Sequence, residues 1–260
     1  MARTRWLAPC LLLLACSGGV GSGGESGESG AAPVPGRGAE GWLEAFADGG
    51  VAFSCDAEEG ALIAAAVPVV EVEGVRLYVG YEQVGDNQNP LIARYDHGVQ
   101  VYCRRHETQG PDGRALGLTW DGGDAAYLVY TVVGGGTELE GKGGWLPSYA
   151  PGALHGGGAK VGAVGRVSVS DGTLDRASFV LAVKSDGGVN SHSPADAPTV
   201  LENGDLEFLG ESAHKPIDPA GNVSMDCTDY PFDTRYVFSP DLGELRCASS
   251  SNCVSTRECG

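Results

Sequence analysis

The spacing of apolar residues changes period near residue 69, and that change divides the chain. Trp42, Leu43 and Phe46 fall on one helical face and Gly49 ends the run, which predicts a short helix over 39–48. Asp56 and Glu59 have capping-box spacing at the start of "AEEGALIAAA", which predicts a second short helix ending before Pro68. From Val69 onward, short apolar runs are broken by Gly, Asp and Asn, the pattern of strands joined by tight turns. In "VQVYCRR" a period of two puts Val99, Val101 and Cys103 on the core face and Gln100, Tyr102 and Arg104 outside. "GRVSVSDG" alternates in the same way, with Val167 and Val169 inward and Arg166, Ser168 and Ser170 outward. "AYLVYTVV" and "ASFVLAV" are almost continuously apolar, as central strands buried on both faces are. The expectation is an all-β domain over residues 42–260: a small propeller-like or sandwich-like sheet assembly with one or two short N-terminal helices.

An internal echo runs through the strand region. Gly74-Val75-Arg76-Leu77-Tyr78-Val79, Gly123-Asp124-Ala125-Ala126-Tyr127-Leu128 and Gly204-Asp205-Leu206-Glu207-Phe208-Leu209 each place an aromatic four positions after a glycine and an aliphatic next. "GVRLYVG" and "GDLEFLG" resemble the G-x-x-Y-V-x-G element of bacterial β-propeller repeats. The intervals, 49 and 81 residues, are unequal. A generic strand after a turn explains the same echo without any repeat.

The N-terminus follows a different logic. Arg3 and Arg5 precede an apolar run from Trp6 to Ala15 interrupted by Pro9. Ten helical residues rise about 15 Å, half of a bilayer core, so the run suits a signal-peptide core rather than a span. Leu13-Leu14-Ala15-Cys16 resembles the bacterial lipobox, with an aliphatic residue three before the cysteine and a small one just before it. That resemblance implies cleavage after residue 15, acylation of Cys16 and a lipid-held protein, with Ser17 in place of the aspartate that signals inner-membrane retention. The implied location is the outer membrane, facing the periplasm or the surface. An ordinary secretory signal, with Cys16 incidental, is the plainer alternative. Residues 16–41 are mostly Gly, Ser, Glu, Ala and Pro, which bury too little apolar surface to order themselves, so they read as a flexible tether reaching about 25–30 Å.

Composition narrows the chemistry. The formal charge is −17, and loss of Arg3 and Arg5 with residues 1–15 takes it to −19, which excludes nucleic acid as a partner. Beyond Cys10 and Cys16, six cysteines remain, an even number that reads as three disulfides in an exported domain. Fifteen pairings exist in principle; pairing neighbours in the chain gives Cys55 with Cys103, Cys227 with Cys247, and Cys253 with Cys259. No C-x-x-C pair supports zinc, and no cofactor motif is present.

Catalytic motifs are equally sparse. There is no G-x-S-x-G elbow, "HETQG" lacks the second histidine of H-E-x-x-H, and no Walker or Rossmann pattern occurs. His97, His106, His155, His192 and His214 are scattered and read as surface or turn residues. "GDNQNP", "WDGGD" and "DPAGNVSMD" are acid-rich but complete no calcium loop. The unusual segment is 133–162, glycine-laden yet carrying Trp145, Tyr149 and His155. With Trp120, Asp121 and Asp124 on a neighbouring turn, these residues form a candidate lip for a glycan or a partner envelope protein. Alternatively, Trp145 and Tyr149 are plugs pinning the segment to the sheet. The expected function is therefore non-catalytic binding by an anchored lipoprotein, with hydrolysis of envelope polysaccharide by paired carboxylates as the rival.

Overall fold

A computed structural model describes residues 38–106, 112–133, 138–149, 159–221 and 223–260. The expected signal peptide, Cys16, most of the tether and His155 lie outside the described residues.

The protein is all-β, with several antiparallel sheets in a sandwich-like assembly and one short helix among the described residues. In chain order come β1 (Leu43–Phe46), α1 (Glu59–Ala64), β2 (Val69–Val72), β3 (Val75–Val84), β4 (Asn87–Asp96) and β5 (Val99–Arg105). Strands β2 to β5 make a four-stranded meander. Next are β6 (Gly113–Trp120), β7 (Ala125–Val133), β8 (Lys160–Ser168) and β9 (Leu174–Val180), a second meander to which β1 adds on the outer side of β6. The remainder is β10 (Ala182–Val183), β11 (Val189–Asn190), β12 (His192–Pro194), β13 (Thr199–Val200), β14 (Leu206–Ser212), β15 (Lys215–Pro216), β16 (Asp226–Cys227), β17 (Phe232–Phe238), β18 (Leu245–Ser250) and β19 (Cys253–Val254). Here β14, β17 and β18 form the third sheet, with β12 and β13 both on the free side of β14. Strands β10, β11 and β15 form a small sheet, and β16 pairs with β19.

The echo segments occupy equivalent places. Gly74, Gly123 and Gly204 sit in the turns that open β3, β7 and β14, each an interior strand of its antiparallel sheet and flanked on both sides. The aromatics that follow, Tyr78, Tyr127 and Phe208, are all buried. The second glycine of "GVRLYVG" and of "GDLEFLG" has a packing reason. A Cβ on Gly80 would lie 2.2 Å from the Val51 carbonyl oxygen, and one on Gly210 would lie 2.7 Å from that of Ser193. In both places another backbone crosses where a side chain would stand.

One core joins the three large sheets. Leu77 and Ile92 meet Leu118, Leu128, Tyr130 and Val164, and these continue into Phe208, Tyr236 and Phe238. On the other face of the first meander, Leu62 of α1 packs over Tyr78, Ala93 and Tyr95. Burial on both faces explains why β7 reads as a continuous apolar run rather than an alternating one.

Several expectations are corrected. The helix expected over 39–48 is strand β1, paired with β6 from Leu43↔Trp120 to Phe46↔Gly117. Its apolar spacing fits either period over so short a run, and pairing to β6 decides. Ordered pairing also begins before residue 42: Gly38 bridges Leu201, and the Ala39 N–H donates to the Val200 carbonyl at 2.7 Å. The second helix is present as α1, but Glu58 precedes it with no side-chain cap; Ser54 Oγ accepts from the Asp56 N–H instead.

In β5, Arg94 pairs with Tyr102 and Tyr95 with Gln100, so Val101 is an extra, bulged residue. The bulge shifts the alternation by one residue, leaving Val99 68 % and Val101 50 % exposed, while Tyr102 and Cys103 are both half-buried, Cys103 against the α1-side cluster. Val167 and Val169 are buried as expected, and "AYLVYTVV" is central in its sheet. "ASFVLAV" is instead the outermost strand β9 running on into β10, covered by residues 138–149 rather than by another strand.

The six cysteines form three disulfides. Cys55–Cys103 is as expected, but the other two are Cys227–Cys253 and Cys247–Cys259. Proximity in the chain gave the wrong partners because strand register overrides it. Cys227 stands directly opposite Cys253 in the β16–β19 ladder, and the Ala248 N–H bond to the Arg257 carbonyl brings Cys259 back to Cys247.

Candidate ligand-binding cleft

At one end of the first two meanders, the β2–β3, β6–β7 and β8–β9 turns converge around a cleft of about 280 Å³. Its apolar lining is Val72, Val75 and Val169, with Trp120 behind. Two-residue and short Asp/Gly turns put polar groups at the strand ends, so Glu73, Asp124 and Ser170 form the rim. The two turns approach so closely that a Cβ on Gly122, where φ is +93°, would lie 2.8 Å from Val72 Cγ1.

Arg94 lines the same cleft, but its charge is already matched. Its Nε and Nη2 donate to Asp96 at 2.7 and 2.9 Å, and Nη1 donates to the Val169 carbonyl at 3.2 Å. The guanidinium therefore ties β4 to the β8–β9 turn, and it holds the Asp96 carboxyl below the usual carboxylate range. Beside it, the Tyr102 hydroxyl is buried without a hydrogen-bond partner, and burial raises its pKa. Among the described residues the carboxylates of Glu73 and Asp124 enter no ion pair. The cleft thus offers hydrogen-bond acceptors over a small apolar floor, a combination suited to ligand hydroxyl or amine groups.

The residues expected to form a lip separate into three groups. Trp120 and Asp124 line the cleft, but Trp120 is only 2 % exposed. Its indole N–H donates to the Gly123 carbonyl at 2.8 Å, so it wedges the turn in place and offers no face for stacking. Asp121 accepts from the Gly123 N–H at 2.8 Å and shapes the same turn. Trp145 and Tyr149 are not part of this lining. The Trp145 N–H donates to the Leu242 carbonyl at 2.7 Å and its ring lies 6.3 Å from Phe238, while the Tyr149 ring stands edge-on to Phe179 at 4.9 Å. Tyr149 pins residues 138–149 to β9 of the second sheet and Trp145 pins them to the end of β17 in the third, and burial raises the Tyr149 pKa.

That segment substitutes for a missing strand. Phe179 N–H donates to the Leu146 carbonyl at 3.0 Å, Leu146 N–H donates to Ser178 Oγ at 3.1 Å, and a Cβ on Gly144 would lie 2.1 Å from the Ala177 carbonyl oxygen. Gly144→Ala is expected to destabilise the fold by about 1–3 kcal/mol, because backbone rather than a flexible side chain must move. Urea unfolding measures this, and an unchanged midpoint would show that the segment does not pack on β9.

Two histidines are core residues rather than surface ones, while His97 and His214 are exposed. His106 faces the Tyr130 hydroxyl through Nδ1 at 3.0 Å and the Gly172 carbonyl through Nε2 at 2.8 Å. The carbonyl can only accept, so Nε2 carries the proton and Nδ1 accepts from Tyr130. Burial lowers the His106 pKa, and the ring acts as a neutral bridge between strands. No cluster of metal-ligating side chains occurs among the described residues. In "DPAGNVSMD", Asp218 accepts from the Ala220 N–H and the Thr256 N–H, each at 2.8 Å, and from the Thr256 hydroxyl, so it anchors the C-terminal tail.

The sequence alone did not single out Glu73, Arg94 or Ser170. Each lies at the end of a different hairpin, and only the packing of two sheets brings them to one place. No protein-family model matches the chain, and a search of curated proteins finds no match.

Proposed function

We propose that the chain is an envelope-anchored bacterial lipoprotein whose body binds a glycan or a partner protein without transforming it. The observation that carries this reading is the combination of Leu13-Leu14-Ala15-Cys16, a Gly/Ser-rich tether and a body closed by three disulfides. Disulfides persist in oxidising compartments outside the cytoplasm, which is where a lipobox cysteine is processed. No helix among the described residues is long and apolar enough to cross a membrane, which fits attachment through acyl chains. The acceptor-lined cleft between the turns is the binding site of this reading.

Cys16→Ser is expected to move the protein from the membrane fraction to the soluble fraction. The native N-terminal peptide is expected to carry the mass of its acyl chains. An unmodified Cys16 thiol in protein recovered from cells would refute the anchor.

The rival, hydrolysis by two carboxylates, draws on Glu73 and Asp124 sharing the cleft. Screening the purified body against envelope glycans for both retention and cleavage separates the readings. Binding without cleavage, weakened by Asp124→Asn, supports the binder. Cleavage abolished by Glu73→Gln or Asp124→Asn, with folding intact, supports the hydrolase.

A further inference from the structure

The last two disulfides cross. In chain order the four cysteines are Cys227, Cys247, Cys253 and Cys259, yet the bonds join first to third and second to fourth. The native separations are 26 and 12 residues. Cys253 lies six residues from both Cys247 and Cys259, and Cys227 is nearer to Cys247 than to Cys253. Shorter loops close at lower entropic cost, so an unfolded, oxidising chain forms neighbouring pairs first. Export from the N-terminal end acts in the same direction, presenting Cys227 and Cys247 before Cys253 and Cys259.

The native partners become neighbours only after folding. Cys227 meets Cys253 through the β16–β19 ladder, and Cys247 meets Cys259 when Arg257 pairs back onto Ala248. Cys55–Cys103 has no such conflict, since these two cysteines are consecutive among the six.

We infer that this protein is a client of a thiol-disulfide isomerase in the compartment where it folds, and that the C-terminal cysteines are the site of isomerase action. The inference rests on the reading of the chain as exported. Starting from the pairs Cys227–Cys247 and Cys253–Cys259, an isomerase thiolate attacks the Cys259 sulfur. It forms a mixed disulfide and releases the Cys253 thiolate. Cys253 attacks the Cys227 sulfur, making the native bond and expelling the Cys247 thiolate. Cys247 then attacks Cys259 in the mixed disulfide, making the second native bond and returning the isomerase thiolate. Bonds broken and formed balance, and no net oxidation or reduction occurs.

The test is reoxidation of the purified, reduced and unfolded full-length mature protein, with disulfides mapped by mass spectrometry of proteolytic peptides. Oxidation without a thiol catalyst is expected to yield mainly neighbouring pairs among the last four cysteines. Adding a purified dithiol isomerase is expected to convert them to Cys227–Cys253 and Cys247–Cys259 about tenfold faster or more. Two variants remove the crossing, Cys247→Ala with Cys259→Ala and Cys227→Ala with Cys253→Ala, and whichever folds is expected to lose the dependence. Direct formation of the crossed pairs at an uncatalysed rate equal to the catalysed one would overturn the inference. So would an uncrossed variant that still requires the isomerase. The acyl mass on Cys16 is measured on the same material, so failure of the anchor is seen separately.

Discussion

Replacing Cys55 and Cys103 together by alanine is expected to lower the unfolding free energy by about 4 kcal/mol, the loop-closure value for a bond spanning 48 residues. The bond ties the segment carrying α1 to the outermost strand β5, whose other edge has no strand partner among the described residues. Other contacts hold the segment when it is cut, among them Tyr95 Oη donating to the Ala57 carbonyl at 2.8 Å, Gln100 Nε2 donating to that of Cys55 at 3.1 Å, and Tyr78 Oη donating to Glu59 at 3.1 Å. The folded geometry is therefore expected to persist while the unfolded chain gains freedom. For a domain of this size the loss corresponds to a fall in Tm of about 8–16 °C. Calorimetry measures it, and a fall of less than about 2 °C would show that the bond does not act by restricting the unfolded chain.

The second large effect is acid lability centred on His192. The ring is fully buried between Phe208 and Tyr236, with centroids 5.7 and 5.8 Å away. The Thr234 hydroxyl donates to the Gly210 carbonyl at 3.0 Å, so its oxygen accepts from Nε2–H of His192 at 2.7 Å. Nδ1 has no partner, and a proton placed there would be buried without an acceptor. Burial accordingly pushes the His192 pKa down to about 3 from an ordinary value of 6.5.

Between those two values the unfolded chain holds a proton that the folded chain does not. Stability is therefore full above pH 6.5, falls by about 1.4 kcal/mol per pH unit as pH drops through the window, and levels off below about 3. The total is on the order of 5 kcal/mol. His106, also lowered by burial, adds in the same direction. Asp96, Asp171, Asp218 and Asp241 are held below the ordinary carboxylate range, so their contributions are lost only at lower pH, as pH falls past about 4. Urea unfolding between pH 7 and 4.5 follows the histidines, with Glu44, whose carboxyl burial holds above the usual carboxylate range, acting in the opposite direction. His192→Phe is expected to make the slope shallower by about one proton, and an unchanged slope would show that His192 is not neutral in the fold.

Residue types and local order alone determined that this is a β protein, where its turns fall, and that its cysteines are oxidised. Turn glycines followed by apolar runs mark β3, β7 and β14 because a strand's two-residue period and a turn's demand for glycine are local properties. Tertiary contact decided what local pattern leaves open. A four-residue apolar stretch at Leu43–Phe46 satisfies either period until β6 pairs with it. One bulged residue, Val101, shifts the alternation of β5 so that Val99 and Cys103 no longer share a face. Trp145 and Tyr149, aromatic residues in a glycine-rich segment, carry the same sequence signal whether they greet a ligand or pin a covering, and Phe179 and Phe238 settle it as pinning. The cleft joins three hairpin ends far apart in the chain, and the crossed disulfides follow strand register rather than chain distance. Those features depend on which surfaces meet, a property of the packed sheets that no single stretch of residues contains.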